Sequence, residues 1–201
     1  MIFNEEEDEK KKAAAKPDAL AEKFLKTRQV LLSGEINKEL AQAVNKQLLL
    51  VAADGSKPIY VYIDSPGGDV NAGFAIFDMI RFVNAPVVLI GNGLIASAAA
   101  LILLAVPKER RVGLPHSSYL IHQPLSEMRG VATDLQIQAE EMAKTRSLLN
   151  KIIAEQTGKD EKQVKKDTER DYWLNADEAL EYGLISKVIS SRKELAGIKV
   201  K

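Results

Sequence analysis

One serine, one of two histidines and a pair of glycines are the residues of this chain whose types and spacing could do chemistry together. Ser97 is the only reactive side chain in the apolar run 87–106. The 201 residues include no cysteine and two histidines, His116 and His122. Thiol catalysis, disulfides and cysteine-ligated metals are thereby excluded, and a histidine-rich metal site has too few ligands. A serine nucleophile needs a base to take its proton, and if that base is an imidazole it must be one of these two. His116 sits in a Pro-His-Ser turn and is expected to be exposed, whereas His122 ends the alternating run 118–122, which Pro124 stops, and so projects from a strand end. Gly67-Gly68 follow another strand, where the lack of a side chain lets an N–H group face a substrate carbonyl. Each residue also has a plainer use: Ser97 as a helix N-cap, His122 as a core histidine, the glycines as an ordinary strand-to-helix turn.

The elements that must position these groups follow from periodicity. The run 87–106 is nearly long enough to span a membrane, but it parses better as a strand at 87–90, a turn at Gly91-Asn92-Gly93 and a buried helix over 96–105. Ser97 then lies where the first N–H groups of a helix lack partners, a place to stabilise an oxyanion. Upstream, a short helix at 18–26, a strand at 29–32, a helix at 38–53, a strand at 58–63 and a helix at 70–83 are predicted. Strand, glycine loop and helix thus occur twice, which suggests an α/β spiral. Downstream come strands near 112–113 and at 118–122, with a charged turn at 108–111 before them. The longest helix should start at Thr133, with Thr133 and Gln136 as a capping box, and end near Gly158. At that length it spans roughly 37 Å and either crosses its own domain or protrudes to meet a partner subunit. A helix from Lys162, another at 175–182 and a strand at 184–189 complete the pattern.

The flanks and the charge balance bound the setting. Residues 1–17 read as a charged, solvated tail, with a small apolar hook at 1–3 as the alternative, 18–192 as one domain, and the polar stretch from Ser190, 193–201 above all, as loose. Lysine and arginine, 28 together, balance 28 acidic residues, so no global field draws the chain to nucleic acid or a membrane. The start has neither the basic nor the apolar part of a secretory signal, and a cytoplasmic protein is expected.

The motifs Tyr60-Val-Tyr-Ile-Asp-Ser-Pro-Gly-Gly68, Ala96-Ser97-Ala98, Leu114-Pro-His-Ser117, Ile121-His-Gln-Pro124, Ala132-Thr-Asp134, Lys166-Asp-Thr-Glu-Arg-Asp171 and Ala179-Leu-Glu-Tyr-Gly-Leu-Ile185 together resemble the ClpP family, the proteolytic subunits of the Clp protease. The resemblance implies a crotonase-like α/β fold, a ββα spiral whose long helix, about 132–157, is a protruding handle that interlocks two stacked heptameric rings. It implies a serine endopeptidase without metal or organic cofactor, with Ser97 as nucleophile, His122 as base and Asp171 as the group that orients the base. Taken alone, Asp171 is an ordinary member of a charged run, and only the resemblance singles it out. The N–H groups of Gly68 and Ala98 would form the oxyanion hole, and substrate would pair as a strand with Gly67, Gly68, Leu125 and Ser126. Arg170 resembles a ring-to-ring contact. Tyr60, Tyr62 and Phe82 resemble a pocket that docks an AAA+ unfoldase of the ClpX, ClpA or ClpC type, the partner that would use ATP.

The chain departs from the pattern at several places. Ala98 stands where methionine is usual, which should widen or reshape the first specificity pocket. Ser126-Glu127 replace two glycines, Val112 replaces an aromatic residue of the docking pocket, and the charged tail replaces the family's axial loops. Other readings are a divergent subunit active only in a mixed ring with a second ClpP paralogue, a silent ring subunit, and a crotonase-like enzyme acting on an acyl-CoA. The last has no use for a serine triad.

Overall fold

The computed structural model describes residues 19–125 and 129–198, so the expected tail at 1–17, the apolar hook within it, and Ser126 lie outside the described residues. In chain order the elements are α1 (Ala19–Lys26), β1 (Gln29–Ser33), α2 (Lys38–Ala53), β2 (Ile59–Ser65), α3 (Val70–Phe82), β3 (Val87–Ala96), α4 (Ala98–Leu103), β4 (Arg111–Gly113), β5 (Ser118–Ile121), α5 (Ala132–Thr157), α6 (Glu161–Asp167), β6 (Tyr172–Leu174), α7 (Ala176–Tyr182) and β7 (Lys187–Val188). Strands β1, β2, β3, β4 and β7 lie side by side and parallel, as short strands joined through helices must. Strand β5 pairs with the last part of β3, and β6 runs antiparallel on β5.

Period-two alternation divides the sheet into two faces. Ile59, Val61 and Ile63 of β2 point into the main core with Val44 and Leu48 of α2, Ile76 and Ile80 of α3, and all of α4. Tyr60 and Tyr62 point the other way, with Val88, Ile90, Val112 and Ile189. Side-chain caps start the two helices that lean on the core face: Asn37 accepts from the Leu40 N–H at 2.8 Å and Asp69 from the Ala72 N–H at 2.7 Å.

The turn expected at Gly91-Asn92-Gly93 is not there. Strand β3 runs unbroken from Val87 to Ala96 and changes neighbours on the way, pairing Leu89 to Gly91 with β4 and Leu94 to Ala96 with β5. The glycines mark close approach instead of reversal. A Cβ on Gly91 would sit 2.6 Å from the Tyr119 hydroxyl, and one on Gly93 2.7 Å from Asp64 Oδ1, which accepts from the Leu94 N–H at 3.0 Å. The helix after the strand therefore begins at Ala98, with Ser97 as the junction.

Three other expectations are corrected. Helix α5 ends at Thr157 with Gly158 as its cap, as read, but its N-cap is Val131 and no side chain caps it; Thr133 lies inside the first turn, so the capping box does not form. Within this helix only Asn150, Ile153 and Ala154 are buried, all in its second half, while Ile137 in the first half is 55% exposed, so the first half extends away from the core. Arg111 is the fully buried first residue of β4, not part of an exposed charged turn. Its guanidinium donates to the Gln156 carbonyl at 2.7 Å, in the last turn of α5, and burial pushes its pKa down to about 10. Finally, the stretch after Ser190 is not loose: Arg192–Gly197 form a 3₁₀ turn started by a reciprocal Ser191/Glu194 capping box, because Leu195 has an apolar face to cover. No helix among the described residues is long and apolar enough to cross a membrane.

Candidate active site

Sheet register brings three polar side chains together. Ala96 is paired with Leu120, so one step further along β3 and β5 places Ser97 beside the end of β5. Ile121 is paired with Tyr172, so one step beyond that pair places His122 opposite Asp171. The Ser97 N–H donates to the Leu120 carbonyl at 2.9 Å and fixes the junction. The side chains then meet: Ser97 Oγ lies 2.8 Å from His122 Nε2, and His122 Nδ1 lies 3.0 Å from Asp171 Oδ1. The histidine side chain is 13% exposed and the aspartate 62%.

Ser97 is held in a conformation that a capping serine would not need. Its φ is 56° and ψ −119°, and its side chain makes no capping hydrogen bond to α4. A positive φ at a residue with a Cβ costs about 1–2 kcal/mol and persists only where the surroundings impose it. Here the consequence is that Oγ points at an imidazole instead of at the helix.

The glycine loop closes on the same point. Gly67 donates its N–H to Ser65 Oγ at 3.1 Å and accepts from the Ile36 N–H at 2.8 Å, while the Ile36 carbonyl accepts from the Asp69 N–H at 2.7 Å. In this parallel bridge the N–H and C=O of Gly68 are the pair turned away from Ile36. Gly67, expected with Gly68 to pair with substrate, has both backbone groups engaged within the chain; its contribution is space. A Cβ there would lie 2.6 Å from the Ala96 carbonyl oxygen, 2.7 Å from Ser97 Cβ and 3.0 Å from the Ala98 nitrogen, at φ +90°. Gly67→Ala is expected to destabilise the fold by about 3 kcal/mol, summing the left-handed penalty and overpacking against backbone. Thermal unfolding would register the loss, together with a displaced Ser97.

Beside Ser97 is an apolar pocket lined by Val70, Ala98, Leu101, Pro124, Leu149 and Ile153 among others. Ala98 does not leave it open. Its free volume is about 30 Å³, room for one or two waters, with Leu101 of α4 and Leu149 and Ile153 of α5 among its walls.

Other residues singled out in the sequence lie at varied distances from this centre. Arg170 is exposed next to Asp171, and Leu125 is 78% exposed just beyond Pro124. Tyr60 and Tyr62 share one face of the sheet, but Phe82 ends α3 in the helix layer of the opposite face and is 75% exposed, so one chain does not bring the three together. His116 is exposed, as expected.

Sequence reasoning missed the brace behind the histidine and the aspartate. Gln123 donates its N–H to the Thr168 carbonyl and its side-chain amide to the Glu169 carbonyl, both at 2.7 Å. The buried Thr168 hydroxyl in turn lies 2.9 Å from Asn150 Oδ1 in α5. The signal was Asn150 itself, a polar residue beside Leu149, Ile152 and Ile153 on a face that should be apolar.

With this geometry in view, the comparison with known families is decisive: the model of the Clp protease family matches residues 11–192. The chain belongs to the Clp protease family. It is 61% identical over 195 residues to ATP-dependent Clp protease proteolytic subunit 2 of Treponema denticola, covering 96% of this chain and 98% of that one. To proteolytic subunit 3 of Rhizobium etli it is 44% identical over 192 residues, covering 96% and 99%. Among solved structures, that of a ClpP1 point mutant from Listeria monocytogenes matches with a TM-score of 0.83 at 44% identity, covering 88% of this chain and 99% of that chain. The spiral α/β fold read from the sequence is the fold of this family, and the family makes the chain a serine-type peptidase of protein degradation. Clp proteolytic subunits work in an assembly with ATPase partners.

Proposed function

We propose that this subunit cleaves unfolded polypeptides and short peptides with Ser97 as nucleophile, His122 as general base and then acid, and Asp171 as the group that fixes the imidazole. The observation that carries the assignment is the unbroken chain of contacts from Ser97 Oγ to His122 Nε2, at 2.8 Å, and from His122 Nδ1 to Asp171 Oδ1, at 3.0 Å. With its Nδ1 proton on Asp171, the imidazole presents a lone pair at Nε2. It accepts the hydroxyl proton as Oγ attacks the scissile carbonyl, and returns that proton to the leaving amine. Water repeats the sequence on the acyl-enzyme. The oxyanion is received by the N–H groups of Gly68 and Ala98; the first is turned away from Ile36, and the second, at the first position of α4, has no intrahelical partner. Substrate adds as a strand along Gly68 on one side and Leu125 and Ser126 on the other.

The crowded pocket beside Ser97 selects the residue before the cleaved bond. Alanine or glycine at that position is expected to give a higher kcat/KM than phenylalanine, as read in a set of fluorogenic peptides that differ there alone.

The assembly we propose is two stacked heptameric rings in the cytoplasm, with α5 as the handle between rings and Arg170 as a contact across them. Tyr60 and Tyr62 of one subunit, with Phe82 from the helix layer of a neighbour in the ring, are the docking residues for an AAA+ unfoldase of the ClpX, ClpA or ClpC type. One observation favours a mixed ring as the second reading: the relatives are named subunits 2 and 3 of their proteases, which implies further subunits beside them. A fluorophosphonate distinguishes the two. Under the first reading the protein alone, at fourteen-subunit mass, gains one adduct per chain, mapped to Ser97. An assembled particle that takes no adduct refutes autonomous activity.

A further inference from the structure

Asp171 does little to hold its own place. Its side chain is 62% exposed, and among the described residues its carboxylate accepts from His122 alone. The residue lies outside any strand, since α6 ends at Asp167 and β6 starts only at Tyr172. On its C-terminal side the Ile121–Tyr172 pair of the β5–β6 ladder fixes the backbone. On its N-terminal side the ladder has ended, and a single residue takes over. Gln123 donates its backbone N–H to the Thr168 carbonyl and its side-chain amide to the Glu169 carbonyl, both at 2.7 Å. These two bonds are not equivalent. Thr168 is fully buried, and its hydroxyl lies 2.9 Å from both Asn150 Oδ1 and the Val164 carbonyl oxygen, so the core already fixes it. Glu169, Arg170 and Asp171 are exposed. The Gln123 amide is thus the contact that carries the order of the buried turn out to the segment ahead of the aspartate.

We propose that the Gln123 side chain is a positioning residue for catalysis: by holding Glu169 through one N–H it sets the distance from Asp171 to His122, and with it the tautomer that offers Ser97 a lone pair. The proposal rests on the roles assigned above to Ser97, His122 and Asp171. Gln123 directly follows His122 in the chain, so the base and the clasp on its orienting group move together. Any slip of residues 169–171 then appears at once as a change in the His122–Asp171 contact, now 3.0 Å. Because Gln123 acts through Asp171, losing its donor costs at most what the aspartate contributes, about 10³- to 10⁴-fold. A loosened segment is misplaced without being lost, and a misplacement of about 1 Å costs about 10²-fold. The expected fall in kcat is therefore about 10- to 100-fold. KM should stay near its wild-type value, because Gln123 is not part of the pocket beside Ser97.

Two substitutions test this, each made in the wild-type chain and in Asp171→Asn. Gln123→Met keeps the length of the side chain and removes the donor. Gln123→Glu keeps its shape but sets a carboxylate against the Glu169 carbonyl, so its loss should be the larger. The readouts are kcat and KM for a short fluorogenic peptide, with native mass and a melting curve on the same samples. A residue that works through Asp171 has nothing to position once asparagine stands there. Gln123→Met should therefore lower kcat about 10- to 100-fold in the wild-type background and no more than about 2-fold in the Asp171→Asn background. Should Gln123→Met change the native mass, Gln123→Glu carries the same comparison. Equal losses in the two backgrounds would mark a residue that merely supports the fold, and would overturn the proposal. So would a Gln123→Met chain with wild-type kcat while Asp171→Asn is impaired. If Asp171→Asn itself keeps wild-type kcat, the triad assignment fails, and the role of Gln123 fails with it.

Discussion

Ser97→Ala is expected to lower kcat for a fluorogenic peptide by about 10⁶-fold, the loss found when the serine of such a triad is removed. KM should stay near its wild-type value, because the glycine loop and the apolar pocket that bind the peptide are untouched. The junction geometry supplies a second test. Ser97 pays for its positive φ of 56° whatever its side chain, so Ser97→Ala should unfold close to the wild-type temperature. Ser97→Gly, equally inactive, should be more stable than Ser97→Ala by about 1 kcal/mol, since glycine alone adopts that conformation without penalty. An alanine variant that keeps a hundredth of the activity would refute Ser97 as the nucleophile. A glycine variant less stable than alanine would show that the junction is not strained.

Asp171→Asn follows with the next largest effect, about 10³- to 10⁴-fold in kcat. An asparagine amide turned towards Nδ1 would donate where the carboxylate accepts, placing the imidazole proton on Nε2. That nitrogen then has no lone pair for the Ser97 hydroxyl 2.8 Å away. The aspartate side chain is 62% exposed, so water also solvates the pair and the lower part of the range is expected. Thermal stability should hardly move, as for other exposed pairs. Steady-state kinetics beside a melting curve separates the two roles: a fall in kcat with an unchanged melting temperature marks an orienting group, and a joint fall marks a structural one.

Elements whose signals are local were legible in the sequence. Helices with caps at Asn37, Asp69 and Asn175, and strands of alternating β-branched residues, stand where periodicity put them. What was illegible depends on residues far apart in the chain. Gly91-Asn92-Gly93 has the composition of a turn, yet the glycines make room for Tyr119 and Asp64, which only the folded sheet brings near. Arg111 looks like one charge among four until the end of α5 arrives to accept from it. Ser190 onwards is polar enough to read as a loose tail, because one leucine gives no period. At the site, Ser97 was visible as the one reactive side chain of an apolar run, and His122 as one of only two histidines. Asp171 was hidden among other charges, and the brace through Gln123, Thr168 and Asn150 was hidden because backbone carbonyls accept two of its three hydrogen bonds.

If copies of this chain cover the exposed first half of α5, as proposed above, the protein's order becomes a function of its own concentration. Turns with no buried face are marginal in water, so they gain their stability from whatever packs on them. If other copies supply that cover, mass action governs it. The same helix ends in Leu149 and Ile153, which wall the pocket, and Asn150, which braces Thr168. Dilution therefore acts at the far end of the helix first and reaches the catalytic geometry through its near end, so that specific activity per chain should rise with the amount of protein present.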